Sequence, residues 1–460
     1  TGLDPLRSHQ QRRGTKEGCA SGDGGACTGT LGKGVAGSMQ YQAINSCLTL
    51  VSSLQGKQLI TVEDLKQGRE LHSVQQAMVD CHGSQCGYCT PGFVMSLFTL
   101  QKNTQGWIPQ QAEQALAGNL CRCTGYRPIM AAAQQACEQP AEDNFTADES
   151  ALVQRLQALN NREVQILEAN GSRCFVPKTL AQLATLYQQY PEARLLAGGT
   201  DLTLQITQQY QRLPLLIALE QVEALSVCSE DEEDIHLGAA APLHHCYHFL
   251  AARIPAFSAT LERFASLQIR NQGTLGGNIG NASPIGDCAP MLLALNARLV
   301  LQQGESLREV PLDQFFTGYR QTVLQPGEFI HSIVIPKVTV SPDFVAWKVA
   351  KRLDDDISAV FIAINIQLKD GVVVQARLAF GGMAATPKRA TAAEAALNGQ
   401  PLNQASIEQA CAALSQDFQP LSDFRASADY RLQVARNLLR RYYAQTCGEL
   451  TLTEVARYVS

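Results

Sequence analysis

Cys86-Gly-Tyr-Cys89 and Cys121-Arg-Cys123 form two tight pairs, thirty-one residues apart. Each pair lets a short backbone turn aim two thiolates at one point, as a compact metal centre requires. Both pairs adjoin helix-start chemistry. Thr90-Pro91-Gly92 leads into the apolar run Phe93–Phe98, and Arg127-Pro128 leads into Ile129–Ala133. Proline favours the first helical turn, so each pair is predicted just ahead of a helix N-terminus. Free N–H groups and the positive end of the helix dipole favour an anionic centre there. Four thiolates also suit structural zinc, but zinc pairs are usually separated by about two to four residues. Cys121 and Cys123 are separated by one, so a 2Fe–2S cluster fits the spacing better.

A second cysteine group precedes it, with Cys19 and Cys27 in the glycine-rich stretch 14–27 and Cys47 farther on. Such glycine density lets backbone N–H groups approach sulfur closely. The plant-type ferredoxin spacing is Cys-x4-Cys-x2-Cys with a distant fourth cysteine. Cys19, Cys27 and Cys47 fit it, but Gly24 stands where the second cysteine belongs. Three readings stay open: the cluster is absent, a non-cysteine ligand completes it, or residue 24 is not the native one. A cluster is expected here, and Thr28–Gly32 is less apolar than a strand leaving such a loop should be. Cys81, Cys137, Cys174, Cys228, Cys246, Cys288, Cys411 and Cys447 lack ligand spacing and are read as buried small hydrophobes.

The elements around these cysteines come next. The 460 residues are 45% hydrophobic and 17% charged, with net charge −5. That describes a globular chain of two to four domains and excludes a polycationic nucleic-acid binder. No apolar run approaches the ~20 residues of a membrane span. Cysteines clustered in the first third imply metal in a reducing compartment, with the cytoplasm as the default. Thr61-Val-Glu-Asp64 reads as a capping box opening a helix that carries Leu71, Val74 and Met78 on one face. With helices after Pro91, Pro109 and Pro128, residues 60–136 are expected to form four short helices around Cys86, Cys89, Cys121 and Cys123. The polar, acidic stretch from Glu138 to Glu149 reads as a linker, with a helix near 150–160.

From residue 175 the pattern is α/β. Phe175–Leu180 leads into a helix that runs to about Tyr190, Arg194–Ala197 reads as a short buried strand, and Gly198–Leu202 as a glycine loop. A second glycine loop spans Ile269 to Asp287. Neither matches a dinucleotide-fold or Walker sequence, but both offer N–H nests to a pyrophosphate, with Thr200, Asn278 and Ser283 adding polar contacts. Val345–Val349 alternates like a strand and opens a last segment of strands, then helices.

The sequences Gly83-Ser-Gln85-Cys86-Gly-Tyr-Cys89-Thr-Pro-Gly-Phe93 and Gly118-Asn-Leu-Cys121-Arg-Cys123-Thr-Gly-Tyr-Arg-Pro128 closely resemble the iron–sulfur signature of the molybdenum hydroxylases. The resemblance extends over most of the chain. It implies an α+β multidomain protein: residues 1–57, a plant-ferredoxin-like (β-grasp) 2Fe–2S domain whose first strands precede Thr1; 58–137, a four-helix 2Fe–2S domain; 138–168, a linker; 169–340, an FAD-binding domain of the vanillyl-alcohol-oxidase type; and 341–460, a C-terminal flavoprotein domain. The implied metal ligands are Cys19, Cys27, Cys47, Cys86, Cys89, Cys121 and Cys123. The implied FAD contacts are Leu195, Leu196, Ala197, Gly198, Gly199, Thr200 and Asp201 in the first loop, Thr274, Gly276, Gly277, Asn278, Ser283 and Asp287 in the second, and Phe264 at the flavin face. Lys348 would tune the flavin as a nearby cation. Arg352 and Asp354–Asp356 read as a solvated charge cluster beside the path of NAD. Gln85 would lie near the pterin of a molybdenum cofactor held by another chain.

The implied activity is electron relay from that partner through two clusters to FAD and then NAD, in a dimer of such pairs. The order of modules, without a molybdenum module, resembles the xanthine dehydrogenases, so hydroxylation of hypoxanthine and xanthine to urate is the expected reaction. An aldehyde or N-heterocycle is the alternative substrate. A zinc-stapled adaptor without catalysis is the reading from another class. No nucleic-acid or membrane partner is expected.

Overall fold

The computed structural model describes residues 1–139, 143–159 and 162–448. Residues 140–142 and 160–161 of the expected linker, and 449–460 of the expected last domain, lie outside the described residues. The chain divides into two compact units. The first holds residues 1–183, 193–222 and 265–273; the second holds 184–192, 223–264 and 274–460.

In the first unit, strands Thr28–Val35, Ser38–Asn45 and Gln58–Ile60 form an antiparallel sheet with Thr28–Val35 central. The hairpin turns on Ala36 and Gly37, both at positive φ (50° and 87°), as a two-residue turn of the primed type requires. Its first strand contains the stretch Thr28–Gly32, less apolar than a strand leaving such a loop should be. Glycine leaves room for neighbours there: a Cβ on Gly32 would lie 2.6 Å from Met39 Cε.

Five helices follow where four were expected: Val62–Leu65, Ser73–Asp80, Thr90–Asn103, Pro109–Leu116 and Arg127–Glu138. The capping box at Thr61 and Asp64 forms, but its helix lasts one turn. Leu71 lies outside any helix and is exposed, while Val74 and Met78 are buried on a separate helix capped by His72. The Thr90–Asn103 helix is the centre of this domain, with Phe93, Met95, Leu97 and Phe98 fully buried. Burying each such side chain contributes roughly 2 kcal/mol. Polar pairs join this helix to the sheet: the Thr30 and Thr99 hydroxyls are 2.7 Å apart, and Asn103 donates to the Tyr41 carbonyl at 2.9 Å.

The described part of the acidic stretch docks onto these helices. Phe145 is buried edge-on against Phe98, and Asp143 accepts from Lys102 at 2.6 Å and contacts His72 at 2.8 Å. The helix expected near 150–160 spans Glu149–Ala158. Beyond it, strands 165–169, 172–176, 215–218 and 194–196 form a mixed sheet, the last three mutually parallel. The strand Arg194–Leu196 buries only Leu196. The helix Leu267–Gln272 completes this unit, its Asn271 amide donating to the Ala43 carbonyl at 2.9 Å.

The second unit contains a five-stranded antiparallel sheet in the order 306–311, 298–303, 328–336, 234–238, 228–230, and a four-stranded antiparallel sheet in the order 345–349, 360–369, 372–381, 388–389. The latter is covered by helices Thr391–Leu397, Gln404–Asp417 and Ala428–Thr446. Strands followed by helices is the order expected for the last segment. Among the described residues no helix is long and apolar enough to cross a membrane.

Candidate iron–sulfur and flavin sites

The four cysteines of the helical domain meet as two pairs. Cys89 lies within hydrogen-bonding reach of Cys121, and Cys86 within reach of Cys123. Each pair takes one cysteine from each motif, so each motif supplies both halves of the site. Among the described residues, no three of these sulfurs lie within 4.8 Å of one another. That is the arrangement a dinuclear centre with two thiolates per iron requires, and not the convergence on one point of tetrahedral zinc.

Local contacts prepare one of these sulfurs, that of Cys121, for negative charge. Burial works against ionisation of Cys121, but the Thr124 hydroxyl at 3.2 Å and the N–H groups of Thr124 and Cys123, both at 3.4 Å, bring its pKa down to about 7. Cys89 is pushed up to about 12 by burial and by its neighbour Cys121. The helix Thr90–Asn103 starts directly after Cys89, and Arg127–Glu138 starts four residues after Cys123. Between Cys123 and the latter helix, Tyr126 sits at φ 67°, a conformation that costs energy and marks functional loops. Its hydroxyl accepts the Cys121 N–H at 3.0 Å. Cys86, Cys123 and Gln85 are exposed, so one edge of this site faces solvent.

The second group lies in the same unit. Cys27 and Cys47 are buried with their sulfurs 3.2 Å apart. Their shared hydrogen bond holds Cys27 below the ordinary thiol value and Cys47 above it. Cys19 is half-buried and close enough to Cys47 to act on its charge. A Cβ built on Gly24 would lie 3.8 Å from the Cys19 sulfur. The donor set therefore fits a cluster with one complete thiolate pair and one thiolate facing Gly24.

The two groups touch through backbone. Leu120 N–H, one residue before Cys121, donates to the Gly24 carbonyl at 3.1 Å. Tyr88, between Cys86 and Cys89, donates to the Glu17 carbonyl at 2.5 Å. Gly25, at φ 67°, makes the approach possible, because a Cβ there would stand 2.3 Å from the Gly118 carbonyl oxygen. Asn119, 2% exposed, fastens the junction. Its amide donates to the Gly25 carbonyl at 3.0 Å and to Thr28 at 3.1 Å, and its oxygen accepts from Ser96 and Gln268 at 2.6 and 3.1 Å. Sequence reasoning missed Asn119 and Gln268; the only cue was an Asn beside Cys121.

The first glycine loop neighbours the Cys27/Cys47 group on the other side. Thr203 donates to the Leu48 carbonyl at 3.0 Å, and a Cβ on Gly199 would stand 3.6 Å from the same oxygen. Ile269 and Leu204 pack against Cys27, Cys47 and Leu48. Gly198 lies so close to the Gln272 carbonyl that a Cβ would overlap it, at 1.7 Å. Residues 195 and 197–201 are all partly accessible, while Leu196 is buried.

The second glycine stretch is not one loop. Ser266 and Thr274 cap short helices, Leu267–Gln272 and Leu275–Gly280, because each hydroxyl accepts an N–H three residues on; residues 281–287 remain irregular. In the second unit, Gly276 packs against Ala239, Gly277 is exposed, and Asn278 Oδ1 is buried without a partner. An orphaned acceptor beside exposed glycine backbone fits a polar ligand. Phe264 is half-buried against the core of this unit. Asp287 and Lys348 form a buried ion pair at 2.7 Å, and Ser358 bridges them at 2.6 and 2.9 Å. Lys348 is therefore a charge-balanced group and not a lone cation. In the loop that follows, Asp356 caps the N–H groups of Lys351 and Arg352, and Arg263 donates to the Leu353 carbonyl. Of the remaining cysteines, Cys447 is exposed and Cys81 and Cys228 are half-buried, contrary to the expectation of burial; the rest are buried.

Three family profiles match the chain: a [2Fe-2S] binding domain over 61–134, an FAD binding domain in molybdopterin dehydrogenase over 168–338, and a CO dehydrogenase flavoprotein C-terminal domain over 345–446. The chain is 35% identical to the xanthine dehydrogenase of Drosophila subobscura, over 90% of this chain and 35% of that protein. It is 32% identical to the xanthine dehydrogenase/oxidase of Mus musculus, over 95% of this chain and 37% of that one. The chain thus spans little more than a third of these relatives. Among solved structures, it is similar to carbon monoxide dehydrogenase from Hydrogenophaga pseudoflava, with TM-score 0.56 and 27% identity, over 60% of this chain and 96% of that one. Quinoline 2-oxidoreductase from Pseudomonas putida 86 shares the fold, with TM-score 0.54 and 24% identity, over 59% of this chain and 94% of that one. The chain thus carries a [2Fe-2S] binding domain, an FAD binding domain of the kind found in molybdopterin dehydrogenases and a CO dehydrogenase-type flavoprotein C-terminal domain, in that order.

Proposed function

We propose that this chain is the electron-transfer subunit of a xanthine dehydrogenase. In this reading it receives electrons from a partner chain carrying the molybdenum cofactor and passes them to FAD and then NAD during oxidation of hypoxanthine and xanthine to urate. The clusters supply one-electron carriage, and FAD couples it to two-electron hydride transfer. Cys86, Cys89, Cys121 and Cys123 would hold the first centre reached, and Cys19, Cys27 and Cys47 the next. The resemblance assigns FAD contacts to residues 195–201 in the first unit and, separately, to Phe264, Thr274, Gly276, Gly277, Asn278, Ser283 and Asp287 in the second. The exposed edge with Gln85, Cys86 and Cys123 is the face a molybdenum-bearing partner would cover.

The observation that carries this reading is the chain of backbone contacts in the first unit. Leu120 N–H meets the Gly24 carbonyl between the two cysteine groups, and Thr203 and Gly199 meet the Leu48 carbonyl beside Cys47. Similarity to xanthine dehydrogenases supports the substrate, and an assembled dimer of such pairs follows from the same resemblance.

Anaerobic addition of xanthine to the chain purified with its natural partner tests the reading. Bleaching of both flavin and iron–sulfur absorbance is expected. Bleaching by dithionite and by an aldehyde or N-heterocycle, but not by xanthine, would assign another substrate to the same relay.

A further inference from the structure

The two cysteine groups differ in one respect that the pairing makes visible. In the helical domain both sulfurs of both pairs are present. In the other group Cys27 has Cys47 at 3.2 Å, but Cys19 has a glycine across from it. Of the atoms beyond the adjacent residues, only the Cys19 sulfur comes within 4 Å of a Cβ built on Gly24. Gly24 is half-buried and is not among the residues at positive φ, so a side chain there is neither strained nor obstructed. The adjacent Asp23 is exposed, and its carboxylate accepts the Ser21 hydroxyl at 2.5 Å.

We propose that Gly24 leaves the iron bound by Cys19 with one coordination position that no side chain of the described residues fills, and that this position binds an external small-molecule thiolate. A soft thiolate is the donor that iron–sulfur centres prefer. On binding, the thiol gives its proton to solvent and its sulfur takes the place a cysteine at 24 would hold; no electron is transferred. Cys19 then faces a sulfur, as Cys27 faces Cys47. The proposal rests on the reading that Cys19, Cys27 and Cys47 hold a cluster.

The test uses the full chain, isolated without added thiol, and its Gly24→Cys variant, with 2-mercaptoethanol as the probe. Iron per FAD and low-temperature electron paramagnetic resonance of the dithionite-reduced proteins are read before and after addition. The expected result is about four irons per FAD in both proteins. One of two cluster signals in the wild type should shift with thiol, and neither should shift in Gly24→Cys. The helical-domain signal serves as the internal control. Four irons in both proteins with thiol-indifferent signals would overturn the inference alone, since a protein atom would then fill the position. About two irons per FAD in both proteins would overturn the reading of this site, and the inference with it.

Discussion

Asn119 fastens the junction between the cysteine groups. Its amide and its oxygen are both satisfied, by Gly25, Thr28, Ser96 and Gln268, in a space closed to solvent. Removing one partner from a buried network leaves the others unsatisfied, at about 1–3 kcal/mol for each stranded group. Asn119→Ala should therefore lower the stability of the first unit by about 2 kcal/mol or more, measured by urea unfolding of the full chain. It should also broaden the spectroscopic signals of both clusters, because Gly25 and Cys121 lose a common anchor. An unchanged unfolding midpoint would show that the junction is held elsewhere. The cysteine spacing was legible at this scale because ligand chemistry fixes residue type and interval. Asn119 was not, because its role depends on three other segments that only the fold assembles. Tyr126 was equally hidden, since nothing in its identity announces a left-handed backbone.

At the scale of elements, the helical domain is closed by a segment that its composition marks as linker. Asp143 accepts from Lys102 and contacts His72, with both ion-pair side chains about 5% exposed or less. Burial alone would raise the Asp143 pKa, but hydrogen bonds from His72, Lys102 and the Thr146 N–H outweigh it and hold the carboxyl well below its ordinary value. A depressed carboxylate contributes stability that is complete above its unfolded pKa, about 4, and is lost as pH falls below it. Asp143→Asn strands the buried Lys102 charge and should cost about 3 kcal/mol at neutral pH. In urea unfolding series, the gap between variant and wild type should shrink as pH falls from 5 toward 3. A gap independent of pH would contradict the assignment of charge.

Helix starts at Pro91, Pro109 and Pro128 were readable because proline in a first turn has a local cause. The break between Leu65 and Ser73 was not, because the apolar spacing of Leu71, Val74 and Met78 mimics a continuous face. The second glycine stretch read as a loop for a similar reason: glycine is a poor helix former, and only the caps at Ser266 and Thr274 reverse that preference.

At the scale of the molecule, the first unit places both cysteine groups and the first glycine loop in one contiguous body, and the order of contacts is the order of the proposed relay. Module order along the chain was legible in the sequence, but the contacts themselves were not. They depend on Gly25, Gly118 and Gly92 allowing three backbones to meet, with a Cβ on Gly92 falling 2.2 Å from the Gly25 carbonyl oxygen. The central claim is that both cysteine groups carry electrons. Low-temperature electron paramagnetic resonance of the complex with its natural partner, frozen after anaerobic reduction by substrate and integrated against FAD, tests it most directly. Two distinct cluster signals, totalling about two spins per FAD, are predicted. A single signal of about one spin per FAD, with the flavin nonetheless reduced, would contradict a relay through Cys19, Cys27 and Cys47.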